Sequence, residues 1–224
     1  MVKNEPVIYN AFENFMEENI AILVADLSGY TALTETHGPA SAADLIDKYL
    51  RIAEQCLVGD CRLHERTGDE IMIVSASPDF ILATAINIDG IISTEENFLR
   101  VHAGMHIGKV LKRNNSYYGT AINLTARIAS GANAGTFCCS GKFANALTGG
   151  SLHVMQSKGM HSFKNIPGET EIFELINKDK RRNYIDPVCR MQIVDPGNAI
   201  SSPGEESLYF CSSHCLDLYK TGSR

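Results

Sequence analysis

Two aspartates at the ends of predicted strands are the first residues whose types and spacing could do chemistry. Asp26 ends the apolar segment 21–26, whose unbroken apolar run predicts a buried strand. Asp69 follows Gly68 in a short turn between two further strand-like segments. Strand ends that meet at a sheet edge allow two carboxylates to bind a hard cation such as Mg²⁺. From spacing alone, a cap at Asp26 and an ordinary turn at Asp69 remain the alternative.

Asn123 and Arg127 are the second pair with chemical potential. They are four residues apart in a segment with helical periodicity, so they share one face of the predicted helix. An arginine supplies fixed positive charge for a phosphoryl transition state, and an asparagine can hold a sugar or a water. Taken alone, the pair fits better a polar helix face that forms surface hydrogen bonds.

The elements that must position these residues follow from the hydrophobic pattern. Apolar residues alternate or run together in strands and recur at helical spacing in helices. The order β-α-β-β-α-β predicts an α+β, ferredoxin-like domain with later additions. The predicted strands are 21–26, 61–65, 70–75, 100–110, 136–140 and 171–176, and the predicted helices begin near Ser41 or span 80–92 and 119–130.

Three segments together resemble the motifs of class III nucleotide cyclases. They are VADLSGYT at 24–31, TGDE at 67–70 and YGTAINLTARI at 118–128. The resemblance covers residues 18–176, which leaves 1–17 as an N-terminal extension. It implies an enzyme that converts a purine nucleoside triphosphate into the 3′,5′-cyclic monophosphate and pyrophosphate.

The resemblance also assigns roles to individual residues. Asp26 and Asp69, with the Leu27 carbonyl, would hold two Mg²⁺ or Mn²⁺ ions. Backbone amides at Gly29, Tyr30 and Thr31 would bind phosphate oxygens where a helix begins. In the family, the residues matching Asn123 and Arg127 come from a second subunit, so the resemblance implies a homodimer. Lys164 lies where the family often has a basic residue that could reach the terminal phosphates, and an exposed turn lysine is the alternative.

The positions that select the base in this family are Glu65 and Ser116 here, which depart from the adenylate pattern. A carboxylate accepts hydrogen bonds from the N1–H and amine of guanine, and a hydroxyl can donate to its O6. Adenine would place its N1 lone pair against Glu65. The pair therefore favours GTP slightly over ATP, although serine stands where guanylate cyclases have cysteine. Relaxed selection, or nucleotide binding without turnover, is the alternative.

Three cysteines near the C-terminus form a second candidate site. Cys189, Cys211 and Cys215 lie in segments that resemble the YHS domain, a small module related to metal-binding TRASH domains, after a charged linker at 177–183. A helix that starts near Ser212 would bring the last two sulfurs to one Zn²⁺ or Cu⁺ ion. His214 would point away from that pair, so the fourth ligand is not evident. Free buried thiols in a small module at 184–224 are the alternative.

Composition limits the classes of function. The chain has 224 residues and a net charge of −6, which argues against a nucleic-acid partner. Its longest strongly apolar run, 20–25, is far short of the roughly 20 residues of a membrane helix. The first residues lack the apolar core of a signal peptide. We expect a cytoplasmic protein without a membrane partner, whose seven cysteines are free or bind metal.

Two other functions fit the same sequence. A cyclase-like domain could bind nucleotide or a partner without turnover and act in signalling. Alternatively, the protein could traffic metal through the C-terminal cysteines, with the large domain as a carrier. Intact Asp26, Asp69, Asn123 and Arg127 favour the enzyme.

Overall fold

The computed structural model describes residues 16–148, 155–176, 183–202 and 208–222. Most of the N-terminal extension and the linker residues 177–182 lie outside these ranges. The strands are β1 (Met16–Ser28), β2 (Arg62–Thr67), β3 (Glu70–Ser75), β4 (Arg100–Arg113), β5 (Ser116–Tyr118), β6 (Phe137–Ser140), β7 (Met155–Ser162), β8 (Glu169–Leu175), β9 (Tyr184–Ile185), β10 (Gln192–Ile193), β11 (Ile200–Ser202) and β12 (Leu208–Phe210). The helices are α1 (Tyr30–Gln55), α2 (Pro78–Ile92), α3 (Thr120–Gly131), α4 (Gly141–Asn145) and α5 (Ser213–Thr221).

The predicted α+β, ferredoxin-like order is confirmed. The elements β1-α1-β2-β3-α2-β4 form a sheet in the order β2-β3-β1-β4, which β6, β8 and β7 extend, while β5 pairs with β4. Strand β1 pairs with β3 on one side and with β4 along its full length on the other. Helices pack on both faces of this central strand, which explains its continuous apolar run.

The sheet has a hydrophobic core on each face. Alternate β1 residues such as Leu23 and Ala25 pack with buried residues of α1, α2 and α4. Their neighbours Ile22 and Val24 pack on the other face with residues of α3. Asp26 continues the alternation of Ile22 and Val24 to the end of the buried strand.

Helix α1 begins earlier than the sequence predicts. It starts at Tyr30, directly after Gly29 at φ 98°, and continues through a kink at Gly38 (φ 81°) and Pro39. The helical periodicity is clear only beyond this kink, so the prediction placed the start near Ser41. Glycine tolerates the left-handed backbone at both points.

The start of one strand and the presence of another also differ from prediction. Strand β1 starts at Met16, so the last two residues assigned to the N-terminal extension, 16 and 17, pair with β4. Strand β7 was not predicted because its sequence, MQSKGMHS, is polar, as suits an exposed edge strand. No helix within the described residues is long and apolar enough to cross a membrane.

The C-terminal module consists of two short two-stranded ladders, β9–β10 and β11–β12, and helix α5. Gln192 fastens it to the segment after α2. Its backbone N–H donates to the Phe98 carbonyl at 2.7 Å, and its buried side-chain amide donates to the carbonyls of Ile92 and, at 2.8 Å, of Glu95. These bonds satisfy carbonyls at the end of a helix, which otherwise lack partners.

Candidate active site and cysteine cluster

The structure brings the two predicted metal ligands together. Asp26 lies near the end of β1, and Asp69 lies in the turn between β2 and β3. Their carboxyl groups are near enough to share a hydrogen bond when one of them is protonated. Asp26 Oδ1 is buried and has no hydrogen-bond partner among the described residues. A buried carboxylate oxygen without a donor is costly, so this atom fits a cation ligand.

The electrostatics of the pair agree with that interpretation. Burial raises the pKa of Asp69 to about 6, and the nearby charge of Asp26 adds to the effect. Burial also raises the pKa of Asp26. Burial, followed by the charges of Asp69 and Glu65, raises the pKa of Glu70. A divalent cation relieves the repulsion between neighbouring carboxylates, so a cluster of this kind binds such a cation favourably.

Two neighbours of this acid pair were missed from the sequence. His102 is the cross-strand partner of Asp26, with Nε2 at 3.7 Å from Asp26 Oδ2 and Nδ1 at 2.9 Å from the Ser28 hydroxyl. The hydroxyl of Tyr49 is fully buried without a hydrogen-bond partner among the described residues. Burial raises the pKa of Tyr49, and the charges of Asp26 and Asp69 add to it. Strand register determines the position of His102, and helix docking determines that of Tyr49. Neither produces a local pattern in the sequence.

The predicted phosphate-binding turn opens α1. Gly29 is the N-cap, no side chain caps the helix, and the first carbonyl–amide bond runs from Leu33 N–H to the Gly29 carbonyl at 3.0 Å. The backbone amides at Tyr30 and Thr31 thus lie in the uncapped first turn, the part of a helix that binds anions.

Two arginines beside this turn were also missed. A Cβ built on Gly29 would lie 2.4 Å from the Cβ of Arg190, so this arginine of the C-terminal module packs on the turn. Arg100 is the cross-strand partner of Ser28. Burial lowers the pKa of Arg100, and the charge of Arg190 lowers it further. Two neighbouring cations favour an anion between them.

Asn123 and Arg127 lie on the exposed face of α3, as their spacing predicts. The opposite face packs so closely on β4 that a Cβ on Gly104 would lie 2.4 Å from the backbone of α3. Within the described residues, neither side chain forms a hydrogen bond or ion pair. No hydrogen bond or ion pair in the described part of the chain therefore joins them to Asp26 or Asp69.

The remaining predicted residues are dispersed. Glu65 on β2 and Ser116 on β5 are exposed, and their chain neighbours His64 and Asn115 line one polar cavity of about 380 Å³. Lys164 lies in the exposed turn between β7 and β8, at the opposite edge of the sheet from β2. No contact within the described part of the chain joins it to the acid pair.

The three C-terminal cysteines converge with a histidine from α1. The Cys211 sulfur lies 3.5 Å from those of Cys189 and Cys215, and His37 Nε2 lies 3.6 Å from Cys211 and 3.5 Å from Cys215. All four ligand atoms lie within 4.8 Å of one another, a group that could hold a metal ion. His214 is exposed, as its position beside Cys215 predicts.

A buried aspartate organises the cysteine loops. Asp186 accepts the backbone N–H of Val188 and Cys189 at one oxygen, at 2.8 and 3.2 Å, and that of Cys211 at the other, at 2.8 Å. Hydrogen bonding from the Cys189 thiol lowers the pKa of Cys211 to about 6. Burial raises the pKa of Cys215 to about 12. Thiolate is the form of cysteine that binds metal.

The ferredoxin-like sheet, the paired acids and the glycine turn that opens a helix define the catalytic domain of a nucleotide cyclase. The family profile of the adenylate and guanylate cyclase catalytic domain matches residues 13–177. The chain belongs to that family. The C-terminal module lies entirely beyond the matched residues.

Known proteins support this assignment. An adenylate cyclase of Glutamicibacter nicotianae is 27% identical over 156 residues, which cover 69% of this chain and 38% of that protein. An adenylate cyclase from Trypanosoma brucei, solved in its monomeric state, has a TM-score of 0.65 at 18% identity over 70% of this chain and 89% of that one. The guanylyl cyclase Cya2 has a TM-score of 0.63 at 19% identity, covering 73% and 95%. The solved structures establish the fold alone, and the chain spans 38% or less of the curated relatives' length.

Proposed function

We propose that this chain is a nucleotide cyclase that converts a purine nucleoside triphosphate into the 3′,5′-cyclic monophosphate and pyrophosphate. The observation that carries the proposal is the buried Oδ1 of Asp26, which has no hydrogen-bond partner in the described part of the chain and lies beside the carboxyl group of Asp69. Two carboxylates with a free oxygen at a strand end suit a hard divalent cation, whereas neither a cap nor a turn requires them to meet.

Asp26, Asp69 and the Leu27 carbonyl would hold two Mg²⁺ or Mn²⁺ ions. When bound, these ions acidify the ribose 3′-hydroxyl and neutralise triphosphate charge. The 3′-oxygen attacks the α-phosphorus and its proton passes to water. The bond from that phosphorus to the pyrophosphate oxygen then breaks.

The other residues position the substrate and stabilise charge. The amides at Gly29, Tyr30 and Thr31 donate to phosphate oxygens at the start of α1, whereas the position of Lys164 at the far edge of the sheet gives no support to its predicted phosphate contact. Arg127 of the partner subunit stabilises the charge at the α-phosphate, and Asn123 of the partner subunit orients the ribose. The exposure of both side chains supports a site that a homodimer completes.

GTP is the favoured substrate. Glu65 can accept from the guanine N1–H and amine, and Ser116 can donate to O6. The curated relative is named an adenylate cyclase, whereas the structural neighbours include a guanylyl cyclase. The proposed preference for GTP over ATP therefore depends on these two side chains alone, and analysis of the cyclic product tests it.

The decisive experiment supplies the full chain with equimolar ATP and GTP plus Mn²⁺ and identifies the cyclic product. We expect more cyclic GMP than cyclic AMP. Asp69→Asn should abolish both products, whereas Asp47→Asn, on the exposed face of α1, should leave them unchanged. Excess cyclic AMP would overturn the base preference. Product that survives Asp69→Asn would overturn the acid pair, and no product from the unaltered chain would favour binding without turnover.

The three C-terminal cysteines form a separate proposed site for Zn²⁺ or Cu⁺. Their convergence supports one ion bound by thiolates. Because this module resembles the YHS domain only in its sequence, the metal assignment depends on the sulfur positions and not on that resemblance.

A further inference from the structure

We propose that His37, from helix α1 of the cyclase domain, completes a tetrahedral Zn²⁺ site with Cys189, Cys211 and Cys215. One ion would then join the C-terminal module to the helix that carries the phosphate-binding turn. This proposal is independent of whether the chain has cyclase activity.

The distances match a tetrahedral site. With Zn–S near 2.3 Å and Zn–N near 2.1 Å, the edges of a tetrahedron are about 3.8 Å between sulfurs and about 3.6 Å between sulfur and nitrogen. The observed values are 3.5 Å for both sulfur pairs that include Cys211, and 3.5 and 3.6 Å from His37 Nε2. A disulfide would need about 2.05 Å, and all three cysteines are free. Three thiolates and one imidazole are a common ligand set of structural zinc sites.

Hydrogen bonds or helix geometry fix the backbone near each of the four ligands. Ser212 caps α5 by accepting the N–H of Cys215, and Asp186 holds the loops of Cys189 and Cys211 through three N–H bonds. His37 ends the first segment of α1, where Gly38 leaves helical geometry. The fold therefore sets the positions of the four ligands, as the hydrogen bonds around metal ligands commonly do.

The module needs such a link. One buried cluster of the module consists of Cys189, Phe210 and Cys215, and two of these three residues are proposed ligands. A core of this size stabilises little, and small modules commonly depend on a metal. A cavity of about 430 Å³, lined by residues including Thr36 and Val188, lies between α1 and the module. On the side of this cavity, helix α1 and the C-terminal module are therefore not fully packed against each other.

The ion would fix one end of a functional helical segment, and the loop that supplies Cys189 contacts the other end. The segment of α1 from Tyr30 to His37 starts at the turn where Arg190 packs on Gly29 and ends at the metal ligand. Because Arg190 directly follows Cys189, the same loop supplies a ligand at one end and a contact at the other.

The test measures metal on the purified full chain. We expect one zinc ion per chain by elemental analysis, and after exchange with Co²⁺ an absorption spectrum of tetrahedral thiolate coordination. His37→Gln should lower affinity for Co²⁺ at least about 100-fold, since even outer residues cost about 10- to 100-fold. The matched control is His214→Gln, an exposed histidine whose ring centroid lies 6.4 Å from that of His37. It should leave affinity and spectrum unchanged.

A second variant keeps the proposal testable if His37→Gln does not fold. His37→Cys should retain the metal and strengthen the sulfur-to-cobalt charge-transfer bands, because a fourth thiolate replaces the imidazole. Unchanged affinity and spectrum in His37→Gln, or unchanged charge transfer in His37→Cys, would show that His37 is not a ligand. Copper in place of zinc, or absence of any bound metal, would overturn the choice of ion or the site. None of these results depends on cyclic nucleotide formation.

Discussion

Arg190 belongs to the C-terminal module, yet its side chain lies against the turn at Gly29. Its guanidinium is close enough to Arg100 for the positive charge to lower the pKa of that residue, after burial. Within the described residues, neither arginine forms an ion pair. Two such cations beside uncapped helix amides are suited to bind a triphosphate, to which Arg190 would contribute from outside the family domain.

We expect Arg190→Ala to raise KM for the nucleotide about tenfold with kcat little changed. A charge-assisted hydrogen bond to phosphate contributes about 1.5 kcal/mol or more to binding, and a contact equal in ground and transition states affects KM alone. Arg51→Ala, in the exposed part of α1, is the control. Steady-state kinetics on zinc-loaded protein measure the effect, and an unchanged KM would remove Arg190 from the phosphate site.

At the level of elements, the parallel pair β4–β6 buries a titratable group. His106 on β4 is 7% exposed, and its Nδ1 lies 2.7 Å from the hydroxyl of Ser140 on β6. Burial, with the charge of Lys142 as a second cause, lowers the pKa of His106 to about 4. The imidazole is therefore neutral in the folded protein at neutral pH.

This burial predicts a pH-dependent loss of stability. In the unfolded chain His106 takes up a proton near pH 6.5, whereas in the folded chain it does so near 4. Stability is therefore complete above about 6.5 and falls with decreasing pH down to about 4, by up to about 1.4 kcal/mol per pH unit. The free energy of unfolding of His106→Asn, measured by urea unfolding at several pH values in this window, should depend less steeply on pH than that of the unaltered chain. Equal slopes would contradict the prediction.

At the level of the whole molecule, the proposed site consists of two groups of residues that no described hydrogen bond or ion pair joins within one chain. Asp26 and Asp69 lie together at one end of β1, whereas Asn123 and Arg127 face outward from α3 without partners among the described residues. A two-fold dimer in which each half meets its complement would contain two sites.

Mixing two inactive variants tests this arrangement. Asp69→Asn and Arg127→Ala should each be inactive alone. When subunits exchange in an equal mixture, about half of the dimers combine both variants and hold one intact site, which restores about a quarter of the normal activity. Activity is measured as cyclic nucleotide formed, with each variant alone as control. Failure to recover activity despite demonstrated exchange would place all four residues in one chain.

Much of the fold and part of the site could be predicted because the signals are local. The apolar run ending at Asp26, the Gly68–Asp69 turn and the helical spacing of Asn123 and Arg127 are visible in short segments. Helix α1 was placed too late because its first eight residues, before Gly38, have a weak periodicity. Polar β7 gave no strand signal, since an exposed edge needs no apolar face.

The amino-acid sequence by itself determined the ferredoxin-like order, the candidate acidic ligands and the three cysteines, since residue type and short-range periodicity encode them. Only the tertiary structure decided that His102 pairs with Asp26, that Arg190 packs on Gly29 and that His37 faces Cys211. His37 and Cys211 are separated by 174 positions. Contacts over such distances depend on strand register and on how helices dock, which arise from the packing of the whole core and not from any local pattern.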